Sequence, residues 1–319
     1  MMRLVTYIFL MLGLSLGLSL QAIAAKNGEN LTENDITKST RRMLSSYHPN
    51  LVPNSIIESG QPIGVTTFNE DEFYITYRAS LGLEILRCID KQPYPLTRTG
   101  LNVEGHGHKG LTSLYSPTDA NNTIIQPFMK YRSQTRLPTE QISIIVDGMS
   151  AGAHRAIETS IFLKQHPDTK NLNVVVLRYG DSKTFDGAAV SSIHNLIGKE
   201  NIFSFHAKED KIVEFMDLPG VVNSLGTRLE FLATDSDGYN ARVRNGVFSG
   251  MDPNFRGILS QLNNPIFKPL AQGALKLFNL SPDVVEFLTP ELWEKHQPVT
   301  YTDLCPSTFS KYKSEKIHM

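Results

Sequence analysis

From Ile142 to Ala153 the chain reads Ile-Ser-Ile-Ile-Val-Asp-Gly-Met-Ser-Ala-Gly-Ala, so that Gly148, Ser150 and Gly152 form a G-x-S-x-G pattern. The pattern by itself is common by chance. It carries meaning when a buried strand runs into it and a helix leaves it. Both conditions hold here: Ile142 to Val146 is an apolar stretch without alternation, and Ala151 to Gln165 has helical spacing. A serine on such a turn is held in a strained conformation, and the small residues two positions either side relieve the crowding. Its Oγ then stands above the sheet edge, where the N–H of Ala151 and the positive helix end can stabilise a developing oxyanion. The chemistry indicated is nucleophilic catalysis by Ser150.

A serine hydroxyl needs a base, and the base needs an acid to hold its tautomer. With a nucleophile on this kind of turn the chain order is serine, acid, histidine. Six histidines follow Ser150: His154, His166, His194, His206, His296 and His318. The first four fall within the strand-and-helix region, and His318 is the penultimate residue of a lysine-rich tail expected to fray. His296 is therefore the expected base. Asp210, just beyond a third apolar run, is a candidate acid, with Glu209 and Asp181 as rivals that spacing does not exclude.

These side chains must be positioned by alternating strands and helices. After Ser150 the apolar runs Asn173 to Leu177 and Ile202 to His206 predict buried strands, and Gly187 to Ile197 predicts a helix between them. Arg228 to Ala233 predicts a further strand. Upstream, Glu33 to Tyr47 predicts a helix opened by Thr32 or Asn34, and Ile63 to Phe68 with Phe73 to Tyr77 predicts a hairpin. Strand–helix alternation of this kind implies an α/β fold with a parallel sheet. No repeat or linker interrupts it, so residues 25–319 are expected to form one domain, with a possible insertion at 235–285.

Composition narrows the setting. The 319 residues carry 31 basic and 32 acidic side chains, a formal net charge of −1, which excludes the strongly basic footprint of a nucleic-acid binder. Arg3, the apolar run Leu4 to Leu20 and the small residues ending at Ala24 and Ala25 predict a signal peptide over 1–24 and an exported protein, secreted or periplasmic. Export would permit a disulfide between Cys88 and Cys305, and closing so long a loop could contribute on the order of 5 kcal/mol; two buried thiols are the alternative. Gly105-His106-Gly107-His108 places alternate histidines on one strand face, but two ligands do not make a zinc site. No metal or organic cofactor is expected.

The same residues resemble the class 3 (fungal-type) lipases over roughly 63–233. Tyr74 to Ser80 is similar to that family's strand ending in F-R-G-T/S, His108 to Leu111 to its H-x-G-F segment, and Gly148 to Ala153 to its G-H-S-L-G-G turn. Val176 to Gly180 resembles its T-F-G strand, Asp210 to Val213 its D-x-V acid segment, and His296 with Tyr301 its C-terminal H-x(n)-Y. The resemblance implies an α/β-hydrolase fold, a mostly parallel central sheet with helices on both faces. It favours Asp210 over its rivals, assigns Ser80 to the oxyanion hole beside Ala151, and makes Leu81 to Ile89 a lid over the site. It implies hydrolysis of carboxylic esters of lipids, with transient contact at a lipid interface. A phospholipase A1 or lysophospholipase, or a catalytically silent binding protein, are the alternatives. Met149, Ala151 and Ala153 depart from the nucleophile pattern, and Ala79 stands where the family has glycine.

Overall fold

Along each central strand, successive apolar side chains go to two different cores. Phe73, Ile75 and Tyr77 join one with Ile144, Val146, Val174 and Val176, while Tyr74, Ile145, Val175 and Leu177 join the other. That is why these runs do not alternate with polar residues: the sheet is covered on both faces. The computed structural model describes residues 25–46, 54–58, 61–69, 71–80, 87–232, 296 and 298–317. The expected signal peptide, the segment 81–86 and the possible insertion at 235–285 lie outside them.

The seven-stranded sheet runs in the order β1 (Ser55–Glu58), β2 (Gln61–Phe68), β3 (Glu72–Tyr77), β6 (Ser143–Met149), β7 (Asn173–Tyr179), β8 (Ile202–Ala207) and β9 (Thr227–Phe231). From β3 to β9 every neighbour is parallel, and β1 and β2 add an antiparallel edge. A separate ribbon pairs β4 (Pro93–Pro95) with β5 (His106–His108).

One face carries α1 (Glu33–Ser45) and α5 (Pro298–Ile317); the other carries α2 (Gln126–Gln134), α3 (Ala151–Gln165) and α4 (Gly187–Ile197). Thr32 opens α1 with a reciprocal capping box to Asp35, and the helix buries Ile36, Ser39, Thr40 and Met43, one face at i, i+3, i+4 and i+7. Asp186 caps α4 by accepting from the Ala189 N–H at 2.8 Å.

One expectation is corrected, and one question left open is answered. The lysine-rich tail does not fray before residue 318, because α5 runs to Ile317 and buries Tyr301, Leu304, Cys305 and Phe309 on the sheet, despite an internal Pro306. His318 itself lies outside the described residues. Cys88 and Cys305 are each buried as thiols, and the disulfide is not made.

Candidate active site

Ser150 sits between β6 and α3 at φ 56°, ψ −122°, and is the sole non-glycine at positive φ among the described residues. Backbone of that kind costs about 1–3 kcal/mol and persists where the surroundings enforce it. Here its N–H donates to the Tyr179 carbonyl of β7 at 2.9 Å, and its carbonyl accepts from the Ala153 N–H at 2.9 Å. The flanking glycines are needed for contact: a Cβ on Gly152 would lie 2.4 Å from the Arg78 carbonyl oxygen, and one on Gly148 2.2 Å from that of Gly152. Strand, strained serine and helix follow one another as the sequence predicted.

The architecture is an α/β fold with a mostly parallel sheet, and its serine stands on a strand-to-helix elbow. Beyond β8, at the same carboxyl edge of the sheet, Asp210 is fully buried. Its Oδ2 lies 2.7 Å from Nδ1 of His296 and accepts the Tyr301 hydroxyl at 2.5 Å. Burial, then the neighbouring Asp210 charge, pushes the Tyr301 phenol well above its ordinary range, so it stays a donor. Gly180, at the end of β7, lets the two rings approach. A Cβ there would sit 2.9 Å from the Tyr301 hydroxyl and 3.1 Å from Cε1 of His296, at a φ of +55°.

Asp181, the rival acid, is turned elsewhere: Oδ2 is 2.9 Å from Nη1 of the buried Arg178, one strand residue away from Tyr179. Among the other histidines, His154 is buried in α3, with its ring stacked 4.4 Å from Phe185 and bonded to Thr112 and Thr184 at 2.8 Å each. His194 accepts the Gly226 N–H at 2.9 Å.

Beside Ser150 a pocket opens to solvent, with Ala79, Ser80, Ala151 and Gly152 on its wall. Ser80 and Ala151, far apart in sequence, are thus brought to one surface, because β3 ends against the first turn of α3. Arg87 to Ile89 forms a single 3-10 turn, and the rest of the expected lid lies outside the described residues. Met149 is directed away from the pocket into the α1/α5-side core.

A buried charge chain anchors α3. Arg155 meets Glu58 of β1 through Nε at 2.7 Å and Nη2 at 3.0 Å, and also bonds Glu158. Glu158 in turn lies 3.2 Å from Nε2 of His154. Burial opposes the charge on Glu158, but the adjacent Arg155 outweighs it and holds the carboxyl below its usual range. His106 and His108 do not act as a pair: His106 meets Asp186 at 2.8 Å, while His108 is buried and pushed down to about 4 by burial. Among the described residues no three His, Cys, Asp or Glu side chains gather as metal ligands.

No family model and no curated protein matches the chain. Solved structures to which it is similar include a lipase of Yarrowia lipolytica at 16% identity and TM-score 0.47, covering 65% of this chain and 82% of that one. A triacylglycerol lipase of Penicillium expansum is similar at 12% identity and TM-score 0.48, over 66% and 82% of the two chains. A mutant of the Rhizomucor miehei lipase with its propeptide is similar at 17% identity and TM-score 0.47, over 63% and 67%. Likenesses this distant leave the activity to be argued from this chain's own residues.

Sequence reasoning assigned no role to Gly180 or Arg178 and matched Tyr301 only by resemblance. Each left a signal: a glycine directly after an apolar strand, and an arginine interrupting one.

Proposed function

We propose that the protein is an exported serine hydrolase that cleaves carboxylic esters of lipids through an acyl-enzyme on Ser150. The observation that carries this is the strained Ser150 elbow with a buried Asp210–His296 pair at the same sheet edge. Ser150 Oγ attacks the ester carbonyl as His296 takes its proton, and Asp210 keeps the imidazole in the tautomer that can accept it. The N–H of Ala151 and the hydroxyl of Ser80 hold the oxyanion. His296 returns the proton to the leaving alcohol, and water, activated by the same ring, releases the acid. The proton taken from Ser150 leaves on the alcohol, and the proton taken from water returns to Ser150 Oγ as the acyl bond breaks. Contact with a lipid interface and secretion or periplasmic residence belong to this proposal, as does cleavage of residues 1–24.

The test is hydrolysis of p-nitrophenyl esters from short to long acyl chains by the wild type and Ser150→Ala. Activity that grows with chain length and is lost in the variant is expected. Equal activity in both proteins, or covalent labelling by a serine-directed phosphonate anywhere but Ser150, would overturn the assignment.

A further inference from the structure

A chain of polar groups runs through the core between the sheet and α1. The Tyr179 hydroxyl donates to Ser39 Oγ at 2.8 Å, and Ser39 Oγ donates to Asp147 Oδ2 at 2.8 Å. Arg42, one turn further along α1, meets the same carboxylate oxygen through Nη2 at 3.3 Å and lays its guanidinium 3.6 Å over the Tyr74 ring. Ser39, Asp147 and Tyr179 are all fully buried. Well-packed apolar side chains there would hold the core as firmly as a buried ion pair does. What the polar chain adds is direction. Apolar contacts tolerate sliding, whereas hydrogen bonds keep their partners within a narrow range of distance and angle.

Tyr74, Asp147 and Tyr179 stand on β3, β6 and β7, adjacent strands of the sheet. Each of these strands ends at the site. β3 leads to Ser80, β6 to Ser150, and β7 to Gly180, against which Tyr301 and His296 pack. The link to the nucleophile is direct, because the Tyr179 carbonyl accepts the Ser150 N–H at 2.9 Å. We propose that Ser39 is a positioning residue of the active site. From α1, with Arg42 beside it, it fixes the spacing of β3, β6 and β7 and holds Tyr179 where its carbonyl keeps Ser150 in the strained turn. Ser39 and Arg42 act through Tyr179 and Asp147, and neither lines the pocket beside Ser150. The effect on hydrolysis rests on the esterase assignment; the effect on the elbow does not.

Two readouts on Ser39→Ala and Tyr179→Phe test this. Ile36→Ala is the control, since it removes a buried side chain of the same helix without touching the polar chain. In ester hydrolysis we expect kcat to fall about tenfold in Ser39→Ala and about threefold in Tyr179→Phe with KM unchanged, as displacements well short of an ångström would give. The double variant should be no worse than Ser39→Ala, because both changes break one link. Ile36→Ala should lose at least as much stability and keep its kcat. In amide hydrogen exchange, the Ser150 N–H should exchange about tenfold faster in both variants, measured against the Ile145 and Val175 N–H groups of the same strands, and not in Ile36→Ala. Tyr179→Phe keeps the ring stacked on Phe205 and carries the test if Ser39→Ala does not fold. A kcat that falls equally in Ile36→Ala, or Ser150 exchange that only follows global stability, overturns the proposal and leaves Ser39 a packing role. Selective Ser150 exchange in a protein without esterase activity would remove the esterase assignment and keep this one. Ser150-dependent hydrolysis with kcat and exchange unchanged in both variants would do the reverse.

Discussion

Asp210, Tyr301, His296 and Gly180 meet within hydrogen-bond or van der Waals reach of one another, and each change there should read out differently. Tyr301→Phe removes the hydroxyl that donates to the buried Asp210 carboxylate. The expected loss is about 1–3 kcal/mol of stability, by denaturant melts, and about tenfold in kcat with KM little changed. Unaltered stability would mean that the hydrogen bond is not made. Gly180→Ala adds a methyl against Tyr301 and His296 at positive φ, whereas Gly220→Ala has the same backbone problem with nothing within 4 Å. Backbone strain alone costs about 1–2 kcal/mol in both. Gly180→Ala should in addition lower ester hydrolysis about 100-fold, since displacing the histidine by an ångström has that scale of effect. Similar activity in the two variants would show that Gly180 serves only its own backbone. At this scale the sequence was legible where a pattern enforced geometry, as at Ser150. Asp210 and Asp181 were not separable by spacing, because both follow strands. What separates them is a partner, Arg178, two strand positions before Gly180.

At the scale of elements, the strands around Ser150 were readable because two-sided burial writes itself as apolar runs without alternation. The α5 helix was not, because Pro306 and the lysines masked the apolar positions Tyr301, Leu304, Cys305 and Phe309 that hold it down. The anchoring of α1 also escaped notice, since it depends on residues distant in the chain. Lys26, just before the helix, bridges Asp35 of α1 and Glu72 of β3, the second at 2.7 Å, and both carboxylates have side chains only 3% exposed. Burial raises the pKa values of Asp35 and Glu72, but the hydrogen bonds from Lys26 and its neighbours outweigh it, and both end below their ordinary 3.8 and 4.5. Lys26 is opposed by burial and raised beyond its ordinary 10.5 by the same two partners. Lowered carboxylates stabilise above their unfolded values and lose that contribution as pH falls through the folded ones; a raised lysine loses it as pH rises past 10.5. Lys26→Met should therefore destabilise by about 2–4 kcal/mol between pH 6 and 9, because it strands two buried carboxylates. The deficit should shrink below about pH 4, in urea melts across pH. A deficit independent of pH would assign Lys26 a packing role only.

For the whole molecule, the covalent question left open by the sequence was whether Cys88 and Cys305 close the chain into a large loop. The sheet separates them. Cys305 lies on α5 in the core shared with Tyr179 and Phe309. Cys88 belongs to the turn that passes Gly110, and the adjoining Thr112 bonds His154 of α3 on the opposite face. A disulfide requires Cα atoms within about 7 Å, which two residues on opposite faces of a covered sheet do not reach. The fold thus holds through its two cores, without the stabilisation of on the order of 5 kcal/mol that so long a closed loop could add. Burial also pushes the Cys305 thiol well above its usual pKa, so it is both shielded and unreactive. Ellman titration of the denatured protein should therefore find two thiols whether or not it was first reduced, and the native protein should react slowly. Dithiothreitol should leave the thermal midpoint in place. A midpoint that fell on reduction, with thiols appearing only after it, would require the α5 helix to pack somewhere other than the α1 face.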